Sequence, residues 1–438
     1  MSESGGRSIE RGFLGLTDTE LRATPVPVSG PLTDTELRAT DVPVKINSPL
    51  AAFGEMLSVA PHPLFQGSFE YTVDNTEITT NTVVNGGTVT QGSAMAVCTT
   101  STTTASSALL VSKQQARYKA GSGGAMRFTS LFTTPVAATE QYIGLADEVG
   151  SSAAFKNGYM IGYDGTTFGF HRFQNDAKST TALANWDDPL DGTGASGITI
   201  DQTKLNVFFI VYQFLGAGAQ FIYMEKNETG AMHLVHTCPY AGANTTPSTF
   251  NPNYRFTIWA DNLGTTDSLI VKSASYAYFV EGETNRIELH QPLQSTGNQQ
   301  TTSITTELAI FTIRNKSTYV SKTNFIDIVL EGLSASIEAS GANNLGTVRI
   351  VKNATLGGSP SYADINTSDS VVDIDTAGTT VTGGKELLGF NLAGKNDSVH
   401  ADIVNHLIIV NPGETITVAG TSAASATIDA GMLWRELF

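Results

Sequence analysis

The sequence predicts an all-β protein, with an extended N-terminal arm followed by two β-sandwich domains of the jelly-roll kind. The first observation is composition, because 42 glycines, 15 prolines and a charged fraction of only 15% are typical of many short turns. The second is that the long Ala, Leu, Glu and Lys runs that build helices are missing. The third is a series of short apolar runs between turn residues. The length of 438 residues favours two or three domains.

The longest apolar run, Leu205 to Leu215, reads LNVFFIVYQFL and is bounded by turn residues. Aromatic and β-branched residues of this kind favour strands, so we predict a strand buried on both faces at the centre of the larger sandwich. A helix that spans a membrane needs roughly 20 apolar residues, about twice this length. The run therefore predicts no membrane span.

The net charge of −16 argues against a nucleic-acid partner, because phosphate binding relies on clustered Lys and Arg. The first residues, 1–11, are polar and show no apolar signal segment. Cys98 and Cys238 lie far apart, which favours two unpaired thiols in a protein assembled in a reducing cytoplasm. A single bridge remains open, because the sequence does not give their separation.

The arm, residues 1–65, contains a tandem repeat. Residues 16–24 read LTDTELRAT, and residues 32–40 repeat this letter for letter. Each copy begins like a capped helix, with Thr17 as N-cap and Glu20 closing a capping box, and Pro25 then stops the first copy.

A single helical turn is too short to be stable alone. We expect the arm to pack on this chain's own domains or, preferably, to dock on a partner that offers repeated sites, as symmetric assemblies do. The apolar residues predicted to dock are Leu16, Leu21, Val26, Leu32, Leu37 and Val42.

The first sandwich is predicted at residues 66–283. Its clearest feature is a hairpin around Asp164-Gly165, a strong short-range turn signal. The number and spacing of its strands favour a jelly roll of the concanavalin type over an immunoglobulin module. Strands are predicted at 108–118, 125–132, 159–163, 166–173, 205–215, 220–225, 232–238, 254–260 and 268–281.

A polar linker is predicted at residues 284–303, where the stretch QSTGNQQTT lacks any apolar anchor. Residues 304–438 then read as a second, smaller sandwich. Its strands are predicted at 308–314, 325–333, 347–352, 386–392, 403–410, 415–419 and 427–434.

Motifs that carry chemistry are weak. Residues 192–197 match the string G-x-G-x-x-G, but they lie between loop and strand patterns and not before a helix, so no nucleotide site is predicted. Asp187, Asp188 and Asp191 form a weak calcium candidate, and a solvated acidic turn is the simpler interpretation. No histidine pair has the spacing of a metal site, and no cofactor is expected.

Catalysis has no clear signature either. No G-x-S-x-G elbow is present, and no spacing indicates a pair of catalytic carboxylates. Trp186, with Tyr163 and His171, forms a candidate surface for stacking against a sugar. Because two catalytic carboxylates need not be neighbours in sequence, acid/base catalysis stays open on the residues alone.

The sequence resembles the virion structural proteins of tailed bacteriophages, the appendage and head-decoration group. The resemblance is carried by the repeat-bearing arm at 16–30, by Ala52-Phe53-Gly54, and by the stretches 190–194 and 198–201. In the last domain it is carried by 313–316, 351–358 and the end LWRE at 433–436.

The resemblance implies a non-enzymatic, oligomeric virion component, assembled in the host cytoplasm, that docks on capsid, neck or tail proteins through its arm. A homotrimer is favoured by analogy with fibre and decoration proteins. The alternatives are a module that binds a host-surface glycan and, less favoured, a tail enzyme that degrades glycans.

Overall fold

The computed structural model describes residues 62–73, 77–118, 122–213, 215–281, 291–339 and 345–438. These residues form mainly strands, with short 3-10 turns at Leu183–Asn185 and Val404–His406. In this part of the chain, no helix is both long and apolar enough to cross a membrane. The predicted docking residues lie outside the described residues: Leu16, Leu21, Val26, Leu32, Leu37 and Val42.

The larger sandwich contains strands β1 to β16. Their bounds are β1 His62–Ser68, β2 Thr79–Val84, β3 Thr88–Gly92, β4 Met95–Thr99, β5 Ser107–Ser112, β6 Gly124–Phe132, β7 Glu140–Ala146, β8 Gly158–Asp164, β9 Thr167–Gln174, β10 Ala177–Ala182, β11 Asn206–Tyr212, β12 Gln220–Lys226, β13 Ala231–Cys238, β14 Arg255–Asp261, β15 Ile270–Ser273 and β16 Ser275–Val280.

These strands form two antiparallel sheets that pack face to face. A nine-stranded sheet has the order β13-β12-β11-β6-β15-β4-β3, with β16 also beside β6 and β1 beside β16. A seven-stranded sheet has the order β10-β9-β8-β7-β14-β5-β2. Side chains of both sheets meet in one core, where the rings of Phe256 and Tyr276 stack with centroids 4.0 Å apart. The predicted concanavalin-type sandwich is confirmed.

The smaller sandwich contains strands β17 to β32. Their bounds are β17 Leu293–Ser295, β18 Gln299–Ile304, β19 Leu308–Asn315, β20 Thr318–Tyr319, β21 Lys322–Thr323, β22 Ile328–Ala339, β23 Leu345–Lys352, β24 Thr355–Gly358, β25 Tyr362–Asp364, β26 Val372–Asp375, β27 Gly378–Thr382, β28 Lys385–Ala393, β29 Ser398–Asp402, β30 Ile409–Val410, β31 Thr415–Ser422 and β32 Ala426–Glu436.

Two six-stranded sheets enclose its core. One has the order β17-β32-β22-β29, with β18 also on β32 and β30 on β22, and the other has the order β25-β26-β19-β31-β23-β28. Along β32, buried side chains alternate strictly with half-buried ones, and Trp434 is fully buried. This period of two is what one buried face of a strand requires. The second predicted sandwich is confirmed.

Polar contacts join the two sandwiches. Arg117 of the larger one donates a hydrogen bond to Asp327 of the smaller one at 2.9 Å, and Gln115 donates to the Phe325 carbonyl. Burial raises the pKa of Asp327, and the nearby Arg117 opposes this rise. Because removing one partner of such a pair leaves a buried charge uncompensated, the contact favours one fixed arrangement of the two sandwiches.

The apolar run at 205–215 forms β11, but the prediction of a central strand buried on both faces is wrong. The strand ends at Tyr212, it is third from one edge of its sheet, and Leu205 and Leu215 are exposed. Val207 and Phe209 point to the outer face and are only half-buried. In the larger sandwich, β7, almost all of β8 and the middle of β14 are buried on both faces.

Three predicted boundaries also need correction. The first sandwich begins at β1, within the predicted arm of residues 1–65. The predicted linker at 284–303 contributes β17 and most of β18, which pair with β32 through backbone hydrogen bonds that need no apolar side chains. The predicted strand at 403–410 forms a 3-10 turn followed by the short β30.

Candidate functional site: an open groove on the smaller sandwich

The three residues predicted to stack against a sugar do not lie together. Tyr163 packs inside the core against Phe132, with ring centroids 5.8 Å apart, whereas His171 is fully buried on the opposite face of the same sheet. Trp186 is 5% exposed and stacks on His236 at 5.7 Å. Since none of the three presents an open ring, this prediction is wrong.

The weak calcium candidate is also not supported, because its three carboxylates are engaged separately. Asp188 is buried and accepts hydrogen bonds from the backbone N–H groups of residues 190 and 196. Asp191 accepts two from Thr193, which lower the pKa of Asp191, and Asp187 accepts one from the backbone of β13. Among the described residues, no three His, Cys, Asp or Glu side chains are grouped to hold a metal.

The outer face of the seven-stranded sheet is filled and covered. We call it the closed face, and its residues are Leu109, Tyr142, Met160, His171, Phe173 and Trp259. Phe155, from the loop between β7 and β8, lies over it and packs edge-on against Phe173 at 5.5 Å and Trp259 at 5.7 Å. These rings fill the space that a ligand would need.

The polar groups of the closed face are satisfied internally. Lys178 bridges Glu140 at 3.0 Å and Asp164 at 2.8 Å. His171 contacts the Gly162 carbonyl through Nε2 and the Thr180 hydroxyl through Nδ1, both at 3.0 Å.

Burial lowers the pKa of His171 to about 4, so this ring is neutral near pH 7. Because a carbonyl only accepts, the proton of the neutral ring is on Nε2. The imidazole therefore has a structural position, with neither nitrogen free for a ligand.

An open groove of about 1020 Å³ lies on the outer face of the smaller sandwich, across strands β32, β22 and β29. This is at the upper end of the usual size range of ligand sites, roughly 300–1,000 Å³. We call it the C-terminal groove, and it is lined by Ser295, Gly297, Glu331, Gly332, Ser334, His400, Asp402, Val404, Asn405, Gly431, Met432, Leu433 and Arg435.

Strand register gives the groove a floor of small residues. Ser334 of β22 lies between His400 of β29 and Gly431 of β32, and Gly332 pairs with Asp402. A Cβ atom added at Gly332 would approach its neighbours no closer than 3.7 Å, an ordinary contact distance. Gly332 and Ser334 therefore leave the groove open on β22, whereas the Gly297 carbonyl oxygen lies over Gly431, 2.7 Å from the position of an added Cβ.

One wall carries polar groups with unused hydrogen-bonding capacity. His400 and Asp402 are exposed on alternate positions of β29, and Asn405 follows on the 3-10 turn. Among the described residues, neither His400 nor Asn405 has a side-chain hydrogen-bond partner. Asp402 accepts one bond, from the Val404 backbone N–H at 3.1 Å. These groups remain available to a ligand.

The groove also contains Arg435 and Glu331, which form an ion pair with each other. Arg435 donates from Nε and Nη2 to the two carboxylate oxygens of Glu331, at 2.7 and 3.2 Å. Its Nη1 lies 3.3 Å from the Gln291 carbonyl. Glu331 therefore has an ionic partner, and Asp402 is the carboxylate of the groove that lacks one among the described residues.

Sequence reasoning missed this groove. The alternation in Ser398-Val399-His400-Ala401-Asp402 was the available signal, since it places three polar side chains on one strand face. The small residues opposite them come from β22 and β32, which are distant in sequence. Their pairing with β29 was not predictable from local patterns.

No protein-family model matches the chain, and no curated protein matches it by sequence. Solved structures with a similar fold include lectin II from Ulex europaeus, at 9% identity and a TM-score of 0.34. They also include an immunostimulatory antigen and pseudo beta-1,3-glucanase of Mycobacterium tuberculosis, at 11% and 0.34, and arcelin-5, a lectin-like defense protein from Phaseolus vulgaris, at 7% and 0.32.

Each of these matches covers 50% of this chain and 99% of the other. At these identities and TM-scores, the matches carry no argument about the ligand or activity of this protein. The strands themselves place this chain in the class of proteins built from two β-sandwiches.

Proposed function

We propose that this protein binds a glycan in the C-terminal groove and does not process it. The observation that carries the proposal is the combination of an open groove, with Gly332 and Ser334 on its floor, and three exposed polar side chains along one wall: His400, Asp402 and Asn405. Sugar hydroxyl groups both donate and accept hydrogen bonds, and imidazole, carboxylate and amide groups complement them. The small floor gives a sugar chain room between the walls.

The charges of the groove favour binding over hydrolysis. Glycoside hydrolysis generally uses two carboxyl groups that flank the scissile bond, about 5 to 10 Å apart. In the groove, Glu331 is held by both of its oxygens in the ion pair with Arg435, which leaves Asp402 without a second free carboxylate. A binding role needs only the hydrogen-bonding groups.

Screening the full chain on a glycan array, followed by calorimetric titration of the strongest ligand, tests the proposal. We expect the double variant H400A/N405A to bind about tenfold more weakly, because two hydrogen bonds of ordinary strength are lost. The matched control is H406A, which removes an exposed imidazole outside the groove lining and leaves affinity unchanged. An array without ligands, or equal affinities for both variants, would overturn the proposal.

We also propose, for the biological context, a structural component of a tailed-phage virion anchored through its N-terminal arm. The nine-residue repeat at 16–24 and 32–40 supports it, because two identical motifs suit a partner that offers repeated sites. Deleting residues 1–45 is expected to abolish incorporation into particles while both sandwiches still fold. Native mass spectrometry of the full chain tests the proposed trimer, and a truncated chain that still enters particles contradicts the arm's role.

A further inference from the structure

The C-terminal groove contains three side chains that carry a formal charge at neutral pH: Glu331, Asp402 and Arg435. The guanidinium of Arg435 is paired with both carboxylate oxygens of Glu331 and also contacts a backbone carbonyl. Its charge is balanced and its donors are largely occupied. An anionic ligand would have to break this ion pair to reach a cation.

Asp402 leaves the groove with one uncompensated negative charge. Its carboxylate accepts the Val404 backbone N–H, and no lysine or arginine of the described residues forms an ion pair with it. It is exposed on the same strand face as His400. A ligand that lies on the floor at Gly332 passes beside this carboxylate, because the two residues are paired across the strands.

We propose that the C-terminal groove selects neutral hexose chains and rejects acidic ones such as uronic-acid chains, an inference that rests on the proposed glycan-binding function. A neutral sugar donates hydroxyl hydrogens to the Asp402 carboxylate, and hydrogen bonds to a charged acceptor are stronger than neutral ones. A sugar carboxylate at the same place is repelled by Asp402 and gains no cation in return. Specificity thus comes from a repulsive element as well as an attractive one.

A matched series of ligands tests this selection. Tetrasaccharides of glucose, galactose and mannose are compared by calorimetry with their glucuronate, galacturonate and mannuronate counterparts, which differ only in oxidation of the hydroxymethyl group. We expect the hexose to bind about tenfold tighter than its uronate. Repulsion between like charges about 5 Å apart is worth roughly fourfold in bulk water and more than roughly 100-fold near a protein surface, and Asp402 is exposed to water. The full-length protein is used throughout.

Two variants test whether the Asp402 carboxylate causes the preference for hexoses over uronates. Asp402→Asn keeps the size and the acceptor for the Val404 N–H, and we expect it to reduce the preference to about threefold or less. Glu338→Gln is the control, because it removes an exposed charge outside the groove lining on β22, the strand that pairs with β29. It is expected to keep the wild-type preference.

The outcomes separate this inference from the function on which it rests. Uronates that bind as tightly as hexoses, or a preference that D402N leaves intact, overturn the selection while glycan binding stands. If neither series nor the array shows binding, the glycan function fails and the selection fails with it.

Discussion

The closed face of the larger sandwich and the C-terminal groove are both outer faces of antiparallel sheets, and they differ in what fills them. The closed face carries large rings, has its ions paired internally and is covered by Phe155. The groove has Gly332 and Ser334 on β22 and exposed polar side chains along one wall, of which His400 and Asn405 have no side-chain hydrogen-bond partner among the described residues. The first arrangement stabilises the fold, and the second leaves space and hydrogen-bonding capacity for a ligand.

The comparison teaches that charged and aromatic residues alone do not mark a binding site. The closed face carries more aromatic rings than the groove and also has charged groups, including Lys178 and Glu140 beside Trp259, yet all three contact one another or their neighbours. A ligand would have to displace these contacts. Available capacity, and not the number of functional groups, distinguishes the groove.

Removing the ring of Phe155, which covers the closed face, gives the largest expected effect on stability. Phe155→Ala deletes a ring that is 1% exposed, and we expect a loss of about 3–5 kcal/mol in the free energy of unfolding. The control, Phe250→Ala, truncates a ring of the same sandwich that is 54% exposed, so a change below about 1 kcal/mol is expected. Urea unfolding measures both. Equal losses would show that Phe155 does not close the face.

A matched pair of glycine substitutions sharpens the comparison. A Cβ at Gly162 would overlap the Gln141 carbonyl oxygen, and this glycine has a φ of +154°, so Gly162→Ala is expected to cost about 3 kcal/mol. Gly332→Ala meets only ordinary contacts and is expected to change stability by less than about 0.5 kcal/mol. Thermal and urea unfolding compare them. A costly Gly332→Ala would mean that the groove floor is as crowded as the closed face.

The sequence could predict those parts of the fold whose signal lies within a few neighbouring residues. The hairpin at Asp164-Gly165 was predicted and forms as β8 and β9, with Gly165 at a φ of +57°. Its turn chemistry lies within a few residues. In contrast, β7 was missed, because its polar start at Glu140 is explained by Lys178 and Trp259, partners on other strands.

The C-terminal groove was harder to predict, because its residues come together only when strands distant in sequence pair. The position of His400 opposite Ser334, and of Ser334 opposite Gly431, exists only once three distant strands are paired in register. A shift of one residue would turn each side chain to the other face of the sheet. For the same reason, Tyr163 and His171 were grouped from their proximity in sequence although they point to opposite faces.

The smallest expected effect on stability tests whether the closed face excludes water. Burial keeps the pKa of His171 at about 4 in the folded chain, below the ordinary value of 6.5. Between these two pH values, the unfolded chain takes up a proton that the folded chain does not. Stability therefore falls as the pH is lowered through this window, by about 2 kcal/mol between pH 7 and pH 5 from this residue.

Urea unfolding at pH 7 and pH 5 isolates this contribution by comparing the wild type with two variants. His171→Gln retains a donor for the Gly162 carbonyl and removes the titrating group, so its stability should fall by about 2 kcal/mol less over this range. His406→Gln, at an exposed position, is expected to follow the wild type. If His171→Gln and the wild type lose equal stability, His171 is protonated within the folded protein. Water and protons then reach the closed face, and the closed face and the groove differ only in how much water they admit.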